Sequence, residues 1–309
     1  MSDTFGNVLK LTTFGESHGK LEGAVLSGLE SNVEISFEEI KKDLERRRGG
    51  KFGTTQRAEE DNFDIVSGLF EGKTTGTALG ILIENNDIHS EDYEALKDTF
   101  RPGHADETYQ KKYLIRDYRG GGRASGRETV ARVAAGSICK QILKNHHIEI
   151  NADIISIKGQ KDNWEEIIRQ AQADDDSVGG KIRCTVKGLE AGIGEPVFDK
   201  LDAVISHAVM SIGAIKGIEF GNGFSCEYLT GKENNKSENA GGILGGISDG
   251  NDVVFDVAVK PTPSVGLGKR HDTCIALRIA PVVEAMTAIA ILDLYYIRHG
   301  NGVPVKALN

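Results

Sequence analysis

Apolar positions recur along the chain with two spacings, and each spacing predicts a different element. FEEIKKDLERR has the charge density and apolar spacing of an exposed helix that ends near Gly49 and Gly50. A second helix is expected from Glu128, because Val130, Val133, Ala134, Ile138 and Ile142 fall on one face. IEINADIISIKG alternates as a strand does, and KIRCTVKGL and DVVFDVAVK read the same way. Shorter strands, NVLKLTTFG, DIVSGLFEG and TALGILIEN, lie among Gly and Thr turns nearer the start. DNWEEIIRQAQADDDSVGGK is polar and acidic, which predicts a short helix and a surface loop. LDAVISHAVMSIGAIKGIEFG then repeats the earlier order of helix followed by strand, pointing to an internal pseudo-repeat. The apolar run from Ile275 through Leu294 carries Arg278, Glu284 and Asp293, so it suits a buried helix, PVVEAMTAIAILDLYYIRH, better than a membrane span.

With 309 residues, 39% of them hydrophobic, the chain can bury a substantial core. No Pro- or Ser-rich linker divides it and its six prolines are scattered, so an α+β layered fold in a single domain over 1–309 is expected. The opening MSDTFGNVLKLTTFGESHG has no basic stretch followed by an apolar one, and a cytoplasmic location is expected. Cys139, Cys184, Cys226 and Cys274 form no CxxC pair or Cys/His cluster, which predicts reduced thiols and no metal site. A formal net charge of −9 opposes nucleic-acid binding. The arginines nevertheless cluster: Arg46, Arg47 and Arg48 are consecutive, and Arg101, Arg116, Arg119, Arg123, Arg127 and Arg132 crowd one segment. Basic loops on an acidic protein point to a small polyanion held in a pocket.

DYRGGGRASGRE, residues 117–128, is the densest of these loops. It fails the dinucleotide pattern, since Ser125 stands where the third glycine belongs, and the P-loop pattern, since Arg127 and Glu128 replace the Lys and the Ser/Thr. It does have the parts of an anion site: glycine backbone, the Ser125 hydroxyl, a helix N-terminus, and the forked donors of Arg123 and Arg127. The alternative is a solvated turn. Ser17 and His18 lie between glycines in TTFGESHG, and His104 follows a Pro-Gly turn beside Arg101 in RPGHAD. For Ser17 and His18 a structural turn and a catalytic loop are equally open. Loop histidines near arginines fit general-acid work on a phosphorylated substrate; the guanidinium groups would lower their pKa and a bound phosphate would raise it again. Downstream of NAGGILGGISDG, the KPTPS segment could hold a second phosphate, while Arg270 and Asp272 of KRHDTC add a cation and a carboxylate. His271 reads equally as a packed or surface histidine. His89, His146, His147, His207 and His299 are expected to be structural.

Together these blocks resemble the chorismate synthase family. TTFGESHG, LERRRGG with TTQR, SGLFEGKTTGT, FRPGHAD, RDYRGGGRASGRET, GEPVFDKLDA, NAGGILGGISDG, KPTPS and RHDTC occur in the family's order across nearly the whole chain. The resemblance implies a layered β-α-β sandwich with an internal pseudo-two-fold repeat, a homotetramer, and reduced FMN (FMNH2) as cofactor. It implies loss of phosphate and a proton from 5-enolpyruvylshikimate 3-phosphate, with the flavin assisting the departing phosphate and its N5 taking the C6 proton. Carried over, His18 would protonate the leaving phosphate, His104 would donate to the reduced flavin, and Asp272 would assist proton removal through flavin N5. Ser17, Arg47, Arg101, Ser125, Arg127 and Arg270 would hold substrate. Arg123, Ala124, Ser125, Gly213, Ala214, Gly245, Lys260, Pro261, Thr262, Pro263, Ser264 and Arg270 would hold FMN. The chain departs from the family at Ala124, where a hydroxyl is usual, at Gly213, where an Asn is usual, at Lys51, the nearest cation where another arginine is common, and in the short VGLGK between KPTPS and RHD. Other readings are an NADPH-dependent flavin reductase, for which no nicotinamide site is identifiable, and a non-catalytic paralogue that binds FMN or a phosphometabolite. An external flavin reductase would be a partner if the chain does not reduce its own flavin.

Overall fold

The computed structural model describes residues 3–56, 60–86, 97–264 and 271–301. Its first half contains β1 (Thr4–Phe5), β2 (Lys10–Gly15), β3 (Leu21–Ser27), β4 (Ser31–Glu34), α1 (Phe37–Arg47), β5 (Phe63–Ser67), β6 (Leu69–Phe70), β7 (Lys73–Thr75), β8 (Leu79–Glu84), α2 (Asp106–Tyr113) and α3 (Thr129–Asn145). The second contains β9 (Glu149–Ile157), α4 (Trp164–Ala173), β10 (Gly180–Lys187), α5 (Leu201–Met210), β11 (Ile215–Phe220), α6 (Gly231–Asn234), β12 (Ile243–Leu244), β13 (Ile247–Ser248), β14 (Val253–Val259) and α7 (Ala276–His299).

Two antiparallel sheets, ordered β1-β2-β3-β8-β5 and β11-β14-β10-β9, enclose a helical layer. α3 packs on β3 and β8, α7 packs on β9 and β10, and the two helices pack on each other. Apart from β1, both sheets follow one path. The fourth strand (β8 or β14) lies between the second and third, a helix (α1 or α5) follows the second strand, and a long helix (α3 or α7) follows the fourth. The pseudo-repeat is therefore present, with α1 matching α5 and α3 matching α7, one step away from the helix-strand pairs that the sequence pattern aligned.

The apolar face expected on α3 is the buried one: Val130, Val133, Ala134, Ile138 and Ile142 are at most 1% exposed. Gly136 sets how closely α3 meets α7, because a Cβ there would stand 2.3 Å from the Ala285 Cβ. α7 begins at Ala276, before Pro281, the first residue of the helix expected from PVVEAMTAIAILDLYYIRH. The earlier start buries Ala276, Ile279 and Ala280 as well. The acidic residues of α7 face inward with partners. Glu284 accepts from both terminal nitrogens of Arg46 at 2.6 Å, from Lys140 Nζ at 2.9 Å and from the Ala152 amide at 2.9 Å. Asp293 accepts from the amides of Asn7, Val8 and Leu9 at 2.7–2.9 Å, fixing the turn between β1 and β2. Asp293→Ala strands the buried Leu9 amide and is expected to cost about 1–3 kcal/mol, read as a lower urea midpoint at an unchanged m-value. Among the described residues no helix is long and apolar enough to cross a membrane.

Candidate active site

The loops singled out by their chemistry meet at the N-terminal end of α3. Residues 117–128 end in two 3-10 turns, Gly122–Ala124 and Gly126–Glu128, and the Ser125 hydroxyl accepts from the Arg127 amide at 3.2 Å. Gly120 has φ +97°, and a Cβ there would stand 2.2 Å from His18 Nδ1, so only glycine lets this loop lie on the buried His18 ring. The Ser17 hydroxyl lies 3.2 Å from the same nitrogen. Arg101 grips Asp106 with two forked bonds of 2.9 and 2.7 Å and donates to the Gly120 carbonyl at 3.2 Å, which ties RPGHAD to the glycine loop.

Asp61 joins two of the arginines expected to hold substrate, Arg47 and Arg127. Arg47, only 2% exposed, donates at 3.0 Å each to Asp61 Oδ2, Thr129 Oγ1 and the Gly126 carbonyl. Arg127 takes the other oxygen of Asp61 and reaches Asn85 Oδ1 at 2.8 Å and the Glu84 carbonyl at 2.9 Å. Burial, then the Arg278 guanidinium, pulls Arg47 down to about 10. Arg123 donates to the Thr13 hydroxyl at 2.7 Å. Glu128 accepts from that hydroxyl at 3.2 Å and from Arg132 at 2.8 Å, and Arg132 reaches the Ser211 hydroxyl at 2.6 Å, beside Gly213 and Ala214.

His104 links the two halves. Its Nδ1 donates to the Pro102 carbonyl at 2.9 Å, which assigns the neutral ring's proton to Nδ1 and leaves Nε2 to accept from the Ser264 hydroxyl at 2.8 Å. Burial holds its pKa below the usual histidine value; the Pro102 carbonyl opposes this, and Arg101 and Lys260 add to the lowering. Gly103 lies against Pro263, where a Cβ would come within 2.8 Å of the Pro263 Cβ. The Lys260 amide donates to the Ala214 carbonyl at 2.9 Å. Three observations fit a bound phosphate-bearing cofactor: among the described residues the buried Thr262 hydroxyl has no hydrogen-bond partner, Lys260 has no carboxylate within ion-pair distance, and no atom stands within 4 Å of a Cβ built at Gly122, Gly126 or Gly213.

Other expected residues lie elsewhere or are already engaged. Asp272 is buried and accepts from the Thr55 amide at 2.9 Å and from Arg278 at 2.9 and 3.2 Å. Arg270 and His89 lie outside the described residues. Gly245 sits in the β12–β13 turn, where neighbouring Gly246 accepts from the Leu201 amide at the start of α5. Gly213 follows the other end of that ten-residue helix, and a Cβ built at either Gly245 or Gly213 meets no atom within 4 Å. Lys51 donates to the Glu45 carbonyl at 2.6 Å, and so serves the end of α1. Ala124 is exposed in its 3-10 turn. Asp61, Asn85 and Arg278 hold Arg47, Arg127 and Asp272 in place, and Glu22 lies in the field of Arg123, Arg127 and Arg47, although no motif marked them.

A sequence model described as chorismate synthase matches residues 9–296. A solved structure titled "Crystal Structure of Chorismate Synthase" is similar with a TM-score of 0.79 and 28% sequence identity, over 96% of this chain and 94% of that one.

Proposed function

This chain belongs to the chorismate synthase family and is a lyase of aromatic amino acid biosynthesis, and on that premise we propose how its own residues remove phosphate and a proton from 5-enolpyruvylshikimate 3-phosphate. The observation that carries the proposal is the convergence of Arg47, Arg101, Arg123 and Arg127 on one glycine-rich turn that covers His18.

Arg47, Arg101 and Arg127 bind the phosphate and carboxylates of the substrate and stabilise the charge that gathers on phosphate as it leaves. His18, buried below Gly120 with Ser17 at its Nδ1, gives a proton to the departing phosphate oxygen. Arg123, Ala124, Ser125, Gly213, Ala214 and Lys260 to Ser264 would hold FMN, with the partnerless Thr262 hydroxyl and Lys260 meeting its phosphate. When bound, reduced FMN would supply electron density to the departing group and a base for the substrate proton. His104 keeps its proton on Nδ1 and turns Nε2 toward Ser264; an anion bound close by would favour its protonated form. Asp272 is held in place by the Thr55 amide and Arg278. The flavin-reductase and non-catalytic readings gain no supporting observation among the described residues.

Under anaerobic conditions, protein supplied with reduced FMN and 5-enolpyruvylshikimate 3-phosphate is expected to release phosphate and chorismate in equal amounts. Tight flavin binding without phosphate release would defeat the proposal. Bleaching of oxidised FMN by NADPH alone would favour the reductase reading instead.

A further inference from the structure

Glu22 occupies a place where an apolar side chain would be expected. Within β3 the inward positions are Glu22, Ala24 and Leu26, all 0% exposed, and they face the helical layer. Gly15 of β2 and Ile83 of β8 flank Glu22, and a Cβ on Gly15 would stand 2.9 Å from Glu22 Oε2, so the carboxyl fills space left by a glycine. Neither carboxyl oxygen has a hydrogen-bond partner among the described residues. The charged groups acting on it are Glu128 at the head of α3, Arg123 and Arg127 in the glycine-rich loop, and Arg47 of α1; β2 and β8 place Gly15 and Ile83 beside it.

An ionised carboxyl here would be desolvated without a donor and would oppose Glu128, with only the three guanidinium groups in its favour. Two of those guanidinium groups, Arg47 and Arg127, are assigned to substrate, and Arg123 is assigned to the neighbouring FMN. An incoming polyanion takes over their field and adds repulsion of its own, which removes what favours the carboxylate.

We propose that Glu22 is a positioning residue that takes up a proton from solvent when the anionic substrate binds and returns it when the anions leave, so that its charge competes with substrate for the arginine cluster. Burial and Glu128 raise the Glu22 pKa to about 7, which puts this exchange in the physiological range. The proposal rests on the substrate reading given above. It predicts that affinity weakens as pH rises through 7, by about tenfold for each pKa unit of coupling, and that the effect falls on KM.

The test is titration calorimetry of 5-enolpyruvylshikimate 3-phosphate, with oxidised FMN present, in buffers of different ionisation enthalpy. At pH 7.5 wild type is expected to take up about half a proton more per site than Glu22→Gln, and the variant's KM is expected to lose most of its rise above pH 7. Equal proton uptake in both proteins would overturn the role of Glu22, whereas no binding by either would overturn the substrate reading. Stability gives an independent readout. Because the folded pKa lies above the unfolded value, the native state holds the extra proton between pH 4.5 and about 7, and wild type loses stability relative to Glu22→Gln as pH rises through that window. A pH-independent difference in melting temperature would also count against the proposal. Should Glu22→Gln fail to fold, infrared difference spectra of wild type on substrate binding must show a gain of protonated carboxyl, and their failure to do so would overturn it.

Discussion

His18→Ala is expected to slow release of phosphate from 5-enolpyruvylshikimate 3-phosphate by about 100- to 10,000-fold, the range for losing one positioned general acid. The expectation rests on placement. His18 is 7% exposed, its Nδ1 faces the Ser17 hydroxyl, and Gly120 of the arginine-bearing loop lies directly on its ring. The contact also has a structural side, since a cavity beneath Gly120 could let the loop shift. Substrate affinity with oxidised FMN separates the two effects. If the ring serves mainly as an acid, kcat falls while affinity changes little; if it mainly supports the loop, affinity falls too. A turnover number equal to wild type would remove His18 from the mechanism. Gly120→Ala gives a complementary check, because its new methyl would be forced into His18 at a φ of +97°, and it should impair turnover with the His18 side chain still present.

Most of the fold was legible because its helices and strands keep regular apolar spacing. The helix predicted from FEEIKKDLERR is α1, and β9, β10 and β14 fall on the alternating segments. β3, central to its sheet, was not read as a strand: LEGAVLS is buried on most positions and carries an inward Glu22, so it neither alternates nor forms a clean apolar run. The repeat was misaligned for a related reason. Helix followed by strand is common to many steps of the chain, whereas the repeating unit is defined by strand order, which depends on long-range pairing.

Of the residues that the fold brings together at the head of α3, the sequence marked those carried by short, rare motifs and left unmarked those that join through tertiary pairing. Asn85 ends a strand stretch with no signal of its own, yet it donates to the Glu16 and Gly19 carbonyls at 3.0 and 2.9 Å and accepts from Arg127. It thereby joins the His18 loop to a substrate arginine. Arg278 read as an interruption in an apolar run, and in the fold it clamps Asp272. Arginine clustering announced a polyanion but could not say which carboxylates would hold the guanidinium groups apart and aimed.

Asp61 is the carboxylate on which most depends. It follows two glutamates in the sequence EEDNFD, its side chain is 3% exposed, and it bridges Arg47 and Arg127, whose side chains are 3% and 11% exposed. Two guanidinium groups brought together away from water repel each other, and Arg127 already lowers the Arg47 pKa while Asp61 raises it. Removing the shared anion leaves buried charge uncompensated, which typically costs about 3–5 kcal/mol. Asp61→Ala is therefore expected to lower the melting temperature by about 6 °C or more, while an exposed pair such as Lys41–Glu38 should contribute little when broken. Asp61→Asn keeps the shape and one acceptor oxygen and should lose less stability. Both variants should lower kcat/KM, because Arg47 and Arg127 no longer share an anchor that fixes their separation before substrate arrives. Added phosphate should restore part of the lost melting temperature by supplying the missing negative charge. An unchanged melting temperature together with an unchanged kcat/KM would show that the two arginines are held by Thr129, Asn85 and backbone carbonyls alone.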